Sequence, residues 1–242
     1  MSEHPFHQRV LIPLLLLAVL ALTLVWRPWR LLPPAWQPWA PLSISHEMTP
    51  VTRWKLMRLR DAPMQACLDV LATAPTGSAD YLPLADYTPA PSCPLTNVVR
   101  VRSTSVAFNA PFTAHCPMAV AWLMYEQQAL QPLARETFGE PVAAVNHFGS
   151  FSCRNIYHRA NARRSEHAIA TALDVAGFRL ADGTRLVVLD DWDNHERPQH
   201  GEFLRAAHAA ACDYFGTVLG PDYNAPHANH FHFGTRGVRY CR

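Results

Sequence analysis

Six cysteines constrain this chain more than any other feature: Cys67, Cys93, Cys116, Cys153, Cys212 and Cys241. The number is even, all six lie downstream of a long apolar run, and no two form a Cys-x-x-Cys pair. Metal ligation by paired cysteines is therefore a weak reading. Disulfides in an oxidising compartment are the stronger one, and three of them are expected. The competing reading is six buried free thiols in a cytoplasmic protein. The pairing itself is not legible in the sequence. A chain of 242 residues suffices for one globular domain of ordinary size plus appendages. A net charge of +2 offers no basic excess, so no nucleic-acid partner is expected. No Gly-rich phosphate loop and no repeat period stands out.

From Val10 to Trp26 there is no charged residue, and the run is mostly Leu, Val and Ala between Arg9 and Arg27. Such a run spans about 25 Å as a helix, the short end for a bilayer core of about 30 Å. Trp26, Trp29 and Trp36 suit an interface. A signal peptide also fits the first half. No small-x-small cleavage site follows at a suitable distance, so an uncleaved anchor is the preferred reading. A buried core helix is disfavoured at the extreme terminus, next to a proline-rich stretch. Arg27 and Arg30 weaken any orientation argued from charge alone. Pro28, Pro33, Pro34, Pro38, Pro41 and Pro50 predict an extended stalk. The expected organisation is an anchor or signal segment over 1–27, a linker over 28–55 and a domain over 56–242. The cysteines place that domain outside the cytoplasm.

Within the domain, Asp61 is expected to cap a helix to about Ala72. Residues 75–97 read as a long loop, and Val98–Arg102 alternates like a strand. A long helix is expected from Pro117 to about Thr137, and a strand over Val142–Phe151. Thr171–Leu180 and Thr184–Leu189 read as two strands joined at Ala181-Asp182-Gly183, since Asp-Gly signals a hairpin turn. Phe203–Phe215 is helical in pattern with Gly216 as its stop. His230–Phe233 is short and alternating, and reads as a strand. The order predicts an α+β fold with a small antiparallel sheet and flanking helices.

Two clusters carry the chemistry: Ser165-Glu166-His167-Ala168-Ile169-Ala170-Thr171-Ala172-Leu173-Asp174 and His227-Ala228-Asn229-His230-Phe231-His232. His167, Asp174 and His232 make a nitrogen/nitrogen/oxygen set of the kind that zinc accepts while keeping a fourth position open. On a strand Asp174 faces away from Leu173, and an aspartate among apolar neighbours is costly unless paired or bound to a cation. His230 and His232 share one strand face, and Phe231 and Phe233 take the other. The competing readings are a chance His-rich tract and satisfied core or surface histidines.

These residues carry a resemblance to the extensin-like C-terminal domain family of bacteria. That family is similar to zinc peptidases that cut D-alanyl bonds in peptidoglycan: D-alanyl-D-alanine carboxypeptidases and dipeptidases, and penicillin-insensitive murein endopeptidases. The wider fold group includes lysostaphin-type peptidases and hedgehog domains. The likeness runs from about Asp61 to Arg242. The peptidase motif Ser-x-His-x-x-Gly-x-Ala-x-Asp is met by Ser165, His167, Ala172 and Asp174, with Ala170 in place of the glycine. A later His-x-His is met by His230 and His232, and the family's use of the second histidine points to His232 as ligand.

The resemblance implies a zinc cofactor and a substrate-binding role for Arg154, against the alternative of an ordinary surface arginine. The carboxypeptidases place a general-base glutamate three residues before the last ligand, and here that position is Asn229, which cannot take a proton at neutral pH. The endopeptidases show a His-x-x-His-x-His arrangement met by His227, His230 and His232, so His230 or His227 is the expected proton carrier. The implied function is a zinc peptidase of the cell envelope acting on peptidoglycan peptides, anchored in the bacterial inner membrane through residues 10–26 and facing the periplasm. The alternative is a metal-containing wall-binding module without efficient hydrolysis. A purely structural disulfide-rich domain leaves the ligand set unexplained. Oligomeric state is not readable.

Overall fold

The computed structural model describes residues 6–242, so the first five residues of the expected 1–27 segment lie outside the described residues. Helix α1 (Phe6–Trp26) covers the apolar run and holds Pro13 in its interior. Among the described residues no helix is long and apolar enough to cross a membrane.

The segment expected as an extended stalk is in large part built into the domain. Helix α2 (Pro50–Leu59) is capped by Thr49, whose hydroxyl accepts from the Thr52 N–H at 3.0 Å, with Pro50 in the first turn. The Thr49 and Thr52 hydroxyls both reach the Ala35 carbonyl, at 2.7 and 3.1 Å. Ile44 is fully buried in the core. Its N–H donates to Thr73 Oγ1, and its carbonyl accepts from Gln128 Nε2 at 2.7 Å. Threonine and glutamine side chains thus satisfy the backbone that prolines keep out of regular ladders.

Helix α3 (Met64–Leu71) starts after Pro63 without a side-chain cap, so Asp61 does not cap it. Residues 75–97, expected as loop, contain strands β1 (Ala79–Pro83), β2 (Tyr87–Ala90) and β3 (Cys93–Leu95). β4 (Val98–Thr104) falls where the alternation placed a strand, and β5 (Ala107–His115) was not expected. The long helix is present as α4 (Cys116–Tyr125), a π turn over Glu126–Leu130 and α5 (Gln131–Phe138). The π turn comes just before Pro132, which has no N–H to offer the preceding turn. Every residue of α4 is buried, which makes it the centre of the core. β6 (Val142–Gly149), β7 (Ala172–Leu180) and β8 (Arg185–Val187) follow, the last two as the expected hairpin. After a short helix α6 (Val188–Asp191), α7 (Pro198–Ala211) starts earlier than expected and ends before Gly216. β9 (Thr217–Leu219), β10 (Phe231–Gly234) and β11 (Tyr240–Cys241) complete the fold.

The α+β class holds, but the sheet is neither small nor wholly antiparallel. Nine strands run in the order β1-β4-β5-β6-β7-β10-β9-β11, with β8 alongside β7, and β2 and β3 form a separate pair. β5–β6 and β9–β11 are parallel. The functional register is β7 against β10, where Phe231 faces Val175, His232 faces Asp174 and Phe233 faces Leu173. Phe231 and Phe233 are fully buried, and Phe233 stacks on Phe215 at 5.0 Å and meets the Tyr125 ring of α4 at 5.5 Å. The apolar half of the alternation thus clamps this strand pair to the helices, which forces His232 and Asp174 together on the opposite face.

All six cysteines pair, as Cys67–Cys116, Cys93–Cys153 and Cys212–Cys241. The first joins α3 to α4. The second ties β3 to the arm that follows β6, and the third holds β11 against the end of α7.

Candidate metal centre

His167 lies on a 3-10 turn (Glu166–Ile169) whose N-cap, Ser165, accepts the His167 N–H through its hydroxyl. The turn ends at Ala170 in the left-handed region, with φ 53°. A left-handed φ strains any residue with a Cβ, and Ala170 carries that strain here. The turn brings His167 back over the first residues of β7, where Asp174 projects.

Three donor side chains converge. His167 Nε2 lies 3.1 Å from Asp174 Oδ2 and 3.2 Å from His232 Nδ1, and His232 Nδ1 lies 3.0 Å from Asp174 Oδ1. One ligand atom from each residue lies within 4.8 Å of the others, so the trio could hold a metal ion.

The outer nitrogens are already engaged. His167 Nδ1 faces the Ser150 carbonyl at 3.2 Å and His232 Nε2 faces Glu166 Oε2 at 3.2 Å. An N–H donated outward on each ring leaves a lone pair on His167 Nε2 and on His232 Nδ1, both aimed at the Asp174 carboxylate. Two lone pairs and an anion facing one another form a donor set for a cation.

Electrostatics agree with that reading. Burial works against ionising Asp174, but hydrogen bonds with His167 and His232 override it and hold its carboxyl well below the usual carboxylate range. Burial likewise acts to lower His232, yet the Asp174 and Glu166 carboxylates outweigh it and push this imidazole up to about 9. With no cation present, a proton on His232 balances the carboxylates.

The other expected residues border the same place. His230 Nε2 is 3.5 Å from Asp174 Oδ1, and its Nδ1 lies 2.8 Å from Asn229 Oδ1. His227 Nδ1 lies 2.6 Å from Asn224 Oδ1. Burial lowers both rings, and for His227 the neighbouring His230 and His232 add to it and bring the value to about 4. Both are therefore neutral near pH 7. Arg154 lines the cleft of about 800 Å³ that opens over the trio, along with Tyr157, Arg163 and Tyr223. Asn229 Oδ1 orients the His230 ring.

Sequence reasoning gave no role to several residues here. Glu166 was quoted beside His167 but not assigned, and Asn224, which also donates to the Tyr157 hydroxyl at 2.8 Å, was not considered. Asn224 lies three residues before His227, and the only available signal was an amide within a turn of a histidine.

No curated protein and no solved structure matches this chain. The family model described as "Extensin-like protein C-terminus" matches residues 65–242, which contain all six cysteines and every residue of the cleft named above. The chain therefore belongs to the extensin-like C-terminal family.

Proposed function

We propose that this chain is a zinc-dependent peptidase of the bacterial cell envelope acting on peptidoglycan peptides, as a carboxypeptidase or an endopeptidase. One observation carries the reading: His167 Nε2, Asp174 and His232 Nδ1 converge with both outer ring nitrogens already bonded. These three would hold the ion. Zinc in such a set supplies Lewis acidity toward a carbonyl and makes bound water more acidic.

The remaining steps belong to this chain's own side chains. Arg154 holds a carboxylate or carbonyl of the peptide through two parallel N–H donors. His230, with its Nδ1–H on Asn229, keeps an Nε2 lone pair toward the site and takes the proton that attack releases. His227, fixed by Asn224, is the reserve carrier. The domain is placed in the periplasm, attached to the inner membrane through residues 10–26. Three disulfides support the compartment. The apolar side chains that α1 exposes, Leu15 and Leu16 among them, support the attachment.

A second reading, a wall-binding module that retains the metal without efficient hydrolysis, is favoured by one observation. The carboxylates lining the cleft are Asp174 and Glu166, and both are committed to the histidines. The test is digestion of intact peptidoglycan by the full chain, with mass analysis of the products. Release of peptides or D-alanine that stops on chelation supports the peptidase. Sedimentation of the chain with peptidoglycan, with no product released, moves the conclusion to the binding module.

A further inference from the structure

Glu166 adjoins a proposed ligand in sequence, yet its side chain serves a different one. The residue is 8% exposed, and a carboxylate so buried is costly unless each oxygen is bonded. Both are. Oε2 lies 3.2 Å from His232 Nε2, and Oε1 accepts the Arg236 N–H at 2.8 Å. The Glu166 carbonyl in turn accepts from the Thr171 N–H at 3.1 Å and the Thr171 hydroxyl at 3.0 Å. Backbone and side chain are thus locked at separate points. Space for the carboxylate is made by Gly234 on β10: a Cβ there would stand 2.5 Å from Glu166 Oε2.

We infer that Glu166 is the positioning residue of the metal centre, holding the His232 proton on Nε2 so that Nδ1 is free to bind the ion. A neutral imidazole carries one N–H. Whichever nitrogen faces a fixed acceptor keeps the proton, and the other keeps the lone pair. Glu166 faces a donor at each end, Arg236 N–H on one side and His232 Nε2–H on the other. Only a group that accepts through both oxygens satisfies the pair. A glutamine must turn its NH₂ toward one of them. Toward Arg236 it sets donor against donor. Toward His232 it draws the ring proton to Nδ1 and removes the ligand. Aspartate, one methylene shorter, cannot span the same gap. The Ser150 carbonyl does the equivalent work for His167, so the two ligand histidines are oriented by different chemistry, a main-chain carbonyl for one and a carboxyl side chain for the other. The inference rests on the metal-centre reading above and concerns the residue that sets its affinity.

The test is zinc affinity of the full chain, stripped by chelation and titrated in competition with a chromophoric chelator. Glu166→Gln and Glu166→Ala should weaken zinc about ten- to a hundredfold, the usual cost of losing a carboxylate behind a metal-bound histidine. In a His232→Ala background, Glu166→Gln should cause no further loss, which a merely structural role does not explain. Asp213→Asn, at a half-buried ion pair away from the cleft, should leave affinity unchanged. Thermal unfolding of the stripped chains shows that each variant is folded, and Glu166→Gln keeps the test open if the alanine variant is not. Tight zinc binding by the native chain with unchanged affinity in folded Glu166→Gln overturns the inference alone. Absence of zinc binding by the native chain, with His167→Ala indistinguishable from it, overturns the metal reading and this inference with it.

Discussion

Replacing Cys93 and Cys153 with serine removes the covalent tie between β3 and the arm that carries Arg154. The two cysteines are 60 residues apart in sequence. In the chain-entropy treatment, closing a loop of that size restricts the unfolded chain by about 4.3 kcal/mol at 25 °C. For the Cys212–Cys241 bond, with a separation of 29, the same relation gives about 3.6 kcal/mol. The logarithm flattens the contrast, so the bonds should contribute within about 1 kcal/mol of each other despite the twofold difference in loop. For a chain of this size, a loss of about 4 kcal/mol lowers Tm by about 8–16 °C. The assay is thermal and denaturant unfolding of the full chain with each pair replaced in turn. A loss below about 1 kcal/mol on removing Cys93–Cys153 refutes the reasoning, because the arm would then be held by its other contacts. Those contacts include the Ser152 N–H on the His167 carbonyl at 3.0 Å, the Ser165 N–H on the Arg154 carbonyl at 3.1 Å, Asn224 Nδ2 on the Tyr157 hydroxyl at 2.8 Å and Arg236 Nη1 on the Arg164 carbonyl at 3.0 Å.

Two further predictions concern protons. In the metal-free chain, His232 is raised to about 9, above its unfolded value of about 6.5. Its contribution to stability is therefore complete below pH about 6.5 and is lost as pH rises through about 9. Melting temperatures of the chelator-treated chain should fall across that window, and zinc affinity should rise across it as the competing proton leaves; a flat profile for both contradicts the assignment. Separately, His230→Ala should remove about 10²- to 10⁴-fold of any peptide hydrolysis while zinc content is unchanged, and Asn229→Asp should raise the rate by placing a carboxylate beside the site. Full activity in His230→Ala would show that the proton goes elsewhere.

Much of the site was legible because it depends on short-range pattern. The alternation of His232 between Phe231 and Phe233, and of Asp174 between Leu173 and Val175, sets which face each takes, and the hairpin turn at Asp182-Gly183 puts β7 in the sheet. The Pro117–Thr137 helix was readable from composition over a long stretch. Less was visible where the determinants are remote in sequence. β5 pairs with β6 in parallel across a helix, and its outward-facing half is polar or small, so no local period marks it. β1 to β3 lie in a Pro-, Ser- and Thr-rich stretch that reads as loop until β4 and the Cys93–Cys153 bond are in place. The segment around Ile44 looked like a stalk by its prolines, because nothing in them shows that Thr73 and Gln128 receive its backbone. Glu166 meets His232 and Arg236 across separations of 66 and 70 residues, and its acidic character alone could not say which histidine it serves.

The claim on which the rest depends is that His167, Asp174 and His232 share one zinc ion, and elemental analysis of the purified full chain tests it most directly. The account predicts one zinc per chain after exhaustive dialysis against buffer, and loss of that zinc in His167→Ala, Asp174→Ala and His232→Ala variants that remain folded. Native chain without zinc after exposure to the metal, or any of these three variants retaining the full complement, would contradict it.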